Sequence, residues 1–156
     1  MRIGGSRTTH DIGAVAIVGI TRQSPFLHGF RFDSSKTGPA EQPWTAYSAP
    51  STVPQLSNQF DNMGDIAVSP ENNKVVVGGY DNSNNINIYD LNIKSSPSFG
   101  SMVSYSPTDP EELDGVTGLA FSQDKTALAV SSDKYVTVYN WENGAISNRR
   151  WRWNKM

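Results

Sequence analysis

Few residues in this chain could carry covalent or acid–base chemistry. There are two histidines, His10 and His28, and no cysteine. Hydrolysis of the serine type needs an imidazole held between a carboxylate and an activated hydroxyl. Neither histidine lies in such a pattern: His10 follows Thr8 and Thr9, and His28 lies in the strand-like segment PFLHGFRFD. The pair also lacks zinc-ligand spacing and would need carboxylates from elsewhere. Without cysteine there is no thiol nucleophile, disulfide or thiolate metal site. Asp109, Glu111, Glu112 and Asp114 form an acidic cluster. Such a cluster can bind a hard cation or act as a carboxylate pair; its position between two repeated units reads as a solvated loop tip. Asp81-Asn82-Ser83-Asn84-Asn85 offers oxygen donors at alternate positions. It lacks the glycine and the closing glutamate of an EF-hand and reads as a polar hairpin. Gly4-Gly5 and Gly78-Gly79 precede no helical pattern, and no phosphate-binding Gly-x-x-x-x-Gly-Lys occurs. The expectation is a protein that binds rather than catalyses, with no cofactor and no metal.

The segment with most functional character is Arg149-Arg150-Trp151-Arg152-Trp153. Cations interleaved with flat aromatics suit stacking on bases with phosphate contacts, a lipid interface, or an anchor in a partner's groove. The near-alternation of Arg and Trp also fits an edge strand closing the last structural unit, or docking on a neighbouring subunit. These five residues are the candidate partner-docking site. Nucleic acid is a weaker reading, because one short basic stretch on an acidic body would bind weakly and with steep salt dependence.

Bulk properties agree with a binding role. The chain has 156 residues and a formal net charge of -2. Four of its 13 Lys and Arg fall in the last eight residues, leaving nine basic against 15 acidic side chains in the rest. A chain of this length can bury roughly 70% of the surface its unfolded form exposes. Gly (13), Pro (9) and abundant Ser and Asn point to short strands and frequent turns. The apolar run from Gly13 to Ile20 is too short to span a bilayer. With Asp11 and several glycines around it, it also makes a poor signal-peptide core, so no membrane association is expected.

The elements that must position these residues repeat along the chain. GDIAVSPENNKVVVGG from Gly64 aligns without a gap on TGLAFSQDKTALAVSS from Thr117, setting Ser69 on Ser122 and Val77 on Val130. NINIYDL then lies over YVTVYNW, with Tyr89 on Tyr139. A third copy, AVAIVGI and PFLHGFRFD, precedes these and puts Phe30 at the tyrosine position, but lacks a clear first strand. WTAYSAP and SMVSYSP repeat likewise. A period of some 50 residues belongs to four-stranded blade units rather than helical repeats, and the period-two alternation in NINIY and YVTVY is that of half-buried strands. The expected fold is all-β: about three four-stranded antiparallel units, with copies near 12–58, 59–110 and 111–148. The whole chain, 1–156, forms one repeat domain with a basic aromatic tail at 145–156.

In these features the chain resembles the β-propeller superfamily, as WD-like blades without the Trp-Asp signature. It also resembles the tandem repeats of tailed-phage virion proteins, through Ser24-Pro25-Phe26, Tyr47-Ser48-Ala49-Pro50, Tyr105-Ser106-Pro107 and Leu119-Ala120-Phe121-Ser122-Gln123-Asp124. Propellers typically hold about 4–8 blades, so three blades imply an incomplete propeller, closed or covered by assembly with other chains. The resemblance implies a bacteriophage structural protein, an outer capsid decoration or knob-like component of the virion exterior. It would be made in the host cytoplasm without a signal peptide. Its expected partners are other virion proteins, either the major capsid protein or a tail component, and further copies of itself as a homo-oligomer. The alternative is a carbohydrate- or host-receptor-binding module, in which Trp44 and Tyr47 flank polar loops suited to a host glycan.

Overall fold

The computed structural model describes residues 64–71, 73–79, 86–92 and 98–155 in full, together with the backbone of three earlier strands. The fold is all-β. β1 (Ala14–Ile20), β2 (Leu27–Asp33) and β3 (Trp44–Ala46) form a three-stranded sheet in that order. β4 (Asp65–Val68), β5 (Lys74–Gly78), β6 (Ile86–Asn92) and β7 (Ser98–Tyr105) form a second sheet, also in chain order. β8 (Gly118–Phe121), β9 (Ala127–Ser131), β10 (Tyr135–Glu142) and β11 (Ala145–Asn154) form the third. Among the described residues every strand pairing is antiparallel. Among the described residues the one helical element is a single 3-10 turn, Pro110–Leu113, between the second and third sheets.

The repeat seen in the sequence is a repeat of hydrogen bonds. Ser69 N–H donates to the Lys74 carbonyl at 2.9 Å, and Ser122 N–H donates to that of Ala127 at the same distance. Each serine hydroxyl in turn accepts from the backbone N–H of that same partner residue. Leu91 N–H donates to the Asn73 carbonyl, and Trp141 N–H to that of Thr126, both at 2.8 Å. In the second of these turns, Asp124 accepts from the Ser122 hydroxyl (2.6 Å) and from Thr126 N–H (3.1 Å), while Lys125 takes the left-handed conformation. Such local side-chain bonds give a short polar segment a fixed turn. β10 and β11 are joined by Asn143-Gly144, both at positive φ, the two-residue connection whose twist matches that of a hairpin.

Runs of β-branched residues bury the middle sheet on both faces. Val75, Val77, Tyr89, Leu91 and Phe99 cluster with Ile66 on one face. Val76, Ile86 and Ile88 on the other pack into a core shared with Leu128, Val130, Tyr139 and Trp141 of the third sheet, and with Leu113 and Val116 of the connection. An aromatic edge crosses this junction, Tyr105 meeting Tyr139 edge-on at 5.3 Å between centroids, and within the third sheet Phe121 meets Trp141 at 4.9 Å. β4 lies beside β8 and β1 beside β4, so neighbouring sheets meet near their early strands.

The first copy is a three-stranded sheet whose β1, β2 and β3 correspond to the second, third and fourth strands of the later units. Phe30 pairs with Ile17 of β1 and Ala46 of β3. Since the repeat of WTAYSAP on SMVSYSP sets Ala46 on Val103, the partner of Ile88, the β2–β3 pairing is offset by one residue from that of the second sheet. His10, the hairpin 81–84 and Tyr47 lie outside the described residues, whereas His28 and Trp44 lie in β2 and β3.

Candidate functional site

The two charged clusters of the sequence form one structure. β11 is the outer strand of the third sheet, paired along its length with β10 of its own chain. The register is Tyr139 opposite Arg149, Val138 opposite Trp151, Thr137 opposite Arg152 and Val136 opposite Trp153. Arg150 is therefore the extra residue of a β-bulge. With it set aside, the strand alternates: Arg149 and Arg152 share the face of Tyr139 and Thr137, and Trp151 and Trp153 share that of Val138 and Val136. A strict period of two would have put Arg149 with the tryptophans; the bulge moves it to the other side.

On the inner face the arginines meet the acidic segment. Asp109 caps the 3-10 turn by accepting from Glu111 N–H at 3.1 Å, and the turn aims Glu112 inward. Glu112 is only 3% exposed. Its carboxylate accepts from the Tyr139 hydroxyl at 2.9 Å, from Arg152 at 3.4 Å, and from Arg149 in a close ion pair. Arg152 also donates to Asp109 at 2.6 Å, and its guanidinium lies 4.7 Å from the centre of the Tyr135 ring. That pairing holds the Asp109 carboxyl below its ordinary range, chiefly through the hydrogen bond from Arg152. Glu111 takes the outer positions, binding Lys134 at 3.2 Å and the Tyr135 hydroxyl at 3.5 Å. The Glu111 hydrogen bond holds the Lys134 ammonium above its usual value.

A solvated loop tip is thus the wrong picture for Glu112. Taking a carboxylate out of water costs several kcal/mol unless it is paired and hydrogen-bonded, and here two arginines and a tyrosine meet that need. Among the described residues, no group of three or more His, Asp or Glu side chains converges as metal ligands.

The outer face carries the other half of the tail. Trp151 and Trp153 are 64% and 54% exposed, with near-parallel rings 6.2 Å apart. Arg150 reaches Asn140 and the side-chain and backbone oxygens of Thr126. All three arginines are therefore bonded within the chain while still facing solvent, and the tryptophans are the exposed apolar members of the five. The sequence reading named these five residues but missed that Glu112, Asp109 and Tyr139 hold the arginines. The excess of acid in one loop and of base in the tail was the available signal.

No protein-family model matches the chain, and no curated protein matches it. A solved structure, that of a functionally unknown protein from Desulfotomaculum acetoxidans DSM 771, is similar over 88% of this chain and 37% of that one, with a TM-score of 0.50 and 17% identity. The chain thus spans little more than a third of that protein's length, and at this identity the likeness is one of fold alone.

Proposed function

We propose that this protein is a non-catalytic binding scaffold, a structural component on the exterior of a tailed-phage virion, most simply a capsid decoration. On this reading the three sheets are blades of an incomplete propeller, and the protein acts by docking on other virion proteins and on copies of itself. The observation that carries the binding reading is the division of β11. Its cations are each paired within the chain, and its tryptophans stand exposed on the face opposite Arg149 and Arg152. Trp is among the residues most enriched at the centres of protein interfaces. The same division disfavours nucleic acid, since phosphates would have to displace Glu112, Asp109 and Asn140 from the arginines. The virion setting rests on the repeat motifs that resemble phage structural proteins.

The test is to purify particles by density gradient and quantify this chain against the major capsid subunit by mass spectrometry. A fixed, substantial ratio supports the reading, and absence from particles overturns it. A second reading, binding of a host glycan, is favoured by one observation: parallel exposed indole rings are a surface on which sugar rings stack. A glycan array probed with the assembled protein distinguishes the two.

A further inference from the structure

The outer face of the third sheet repeats, position by position, a face whose two inner strands are buried elsewhere in the same molecule. In the second sheet the side toward the third sheet carries the cross-strand row Ala67–Val76–Ile88–Val103 and the row Asp65–Gly78–Ile86–Tyr105. The same register positions in the third sheet are Ala120–Ala129–Val138–Trp151 and Gly118–Ser131–Val136–Trp153. In the second sheet Val76 and Ile86 are fully buried and Ile88 nearly so, because the third sheet covers them, while Val103 at the outer end of the row, the position of Trp151, stays 61% exposed. In the third sheet Ala129, Val136 and Val138 are only partly buried, and Ala120 is exposed beside the two tryptophans. The row is apolar and its inner positions are small, as a surface that receives another sheet must be.

We infer that this face docks the first sheet of a second copy of the chain, repeating between molecules the packing that joins the second and third sheets within one. The internal junction supplies the geometry. There Tyr105 of β7 packs edge-on against Tyr139 of β10. Trp153 holds the register position of Tyr105, and Phe30 of β2 falls on Tyr139 in the sequence repeat. The junction between copies therefore sets Trp153 of one molecule over β2 of the next at Phe30. Such a contact is head-to-tail, joining two different surfaces, and so forms a closed ring or a growing chain according to the rotation at each step. This inference rests on the binding-scaffold reading and adds the surface and its occupant.

The chain has no cysteine, which makes site-directed cross-linking clean. Full-length Trp153→Cys and Phe30→Cys variants are mixed and treated with a short bis-maleimide, and covalent products are mapped by mass spectrometry. In parallel, self-association of the wild type is followed by sedimentation equilibrium, and compared with Ala129→Arg, with Trp151→Ser/Trp153→Ser, and with Lys125→Ala at a distant turn. We expect cross-links joining positions 153 and 30 of different copies. Association should weaken at least about tenfold in both face variants and stay unchanged in Lys125→Ala. The serine variant alters only exposed side chains, so its result stands even if Ala129→Arg misfolds. A wild type that is monomeric at all concentrations overturns the inference, as does a 153-to-153 product without the 153-to-30 product. Either outcome leaves the virion reading to be decided by particle composition.

Discussion

The Tyr139 hydroxyl donates to the Glu112 carboxylate at 2.9 Å, between two side chains that are both almost wholly buried. This bond ties β10 to the connection between the second and third sheets, and the same carboxylate holds Arg149 and Arg152 of β11. One glutamate thus joins a core strand, a loop and an edge strand. Tyr139→Phe removes the donor without changing shape and leaves the carboxylate one partner short. We expect a loss of about 1–2 kcal/mol in chemical denaturation. Arg149→Ala/Arg152→Ala should cost more, about 3 kcal/mol, because it strands a buried charge. Faster amide exchange should then be confined largely to β11.

The Asp109–Arg152 pair makes the tail sensitive to acid. Asp109 ionises below its ordinary value of 3.8 in the folded protein. Its contribution is therefore present above the unfolded value and lost as pH falls through the folded one. Between about pH 5 and pH 2 the wild type should lose thermal stability more steeply than Asp109→Asn. The effect should be small, since Asp109 is on the surface.

Tyr89 and Tyr139 should resist alkali most strongly among the described tyrosines. Burial pushes the Tyr89 phenol up to about 12 and raises that of Tyr139 as well, with Tyr105 acting in the same direction on Tyr139. Both folded values exceed the unfolded one of 10.0, so their stabilisation is intact below pH 10 and is lost as pH rises through the folded values. A phenolate absorbance titration should show these groups ionising late, together with unfolding. In Tyr89→Phe/Tyr139→Phe the late fraction should shrink, leaving Tyr105, whose phenol burial also raises.

Gly78 separates structural packing from surface packing. A Cβ placed there would lie 2.4 Å from Cγ1 of the fully buried Val116, in the junction between the second and third sheets. Gly78→Ala should cost about 1–3 kcal/mol through overpacking. Ser131 holds the same register position on the open face, and Ser131→Ala should change the monomer by less than about 0.5 kcal/mol. Thermal melts of the two variants check the contrast.

Much of this fold was legible in the sequence. Alignment of Ser69 on Ser122 and Tyr89 on Tyr139 gave both the strands and their order, because turn chemistry and period-two alternation are local signals. The sequence also gave the edge strand, through the spacing of Trp151 and Trp153. The partners of Arg149 and Arg152 were not legible. Glu112 lies 37 residues from Arg149, and nothing local tells a buried carboxylate from a solvated one. The bulge at Arg150 was equally hidden, since it depends on how β11 pairs with β10. An unbroken reading of alternation assigns Arg149 to the wrong face.

The middle sheet is buried on both sides, and successive residues of β5 point into different cores: Val75 and Val77 into one, Val76 into the other. That makes it a mechanical coupler. Loosening of the third sheet is felt first at Val76, Ile86 and Ile88, while Val75 and Tyr89 keep their own neighbours. Disturbance should pass from one end of the molecule to the other by nearest-neighbour steps, as in linear repeat arrays. Each docked copy would lengthen that array by one more junction of the same kind, making cooperativity of unfolding a property of the assembly rather than of the chain.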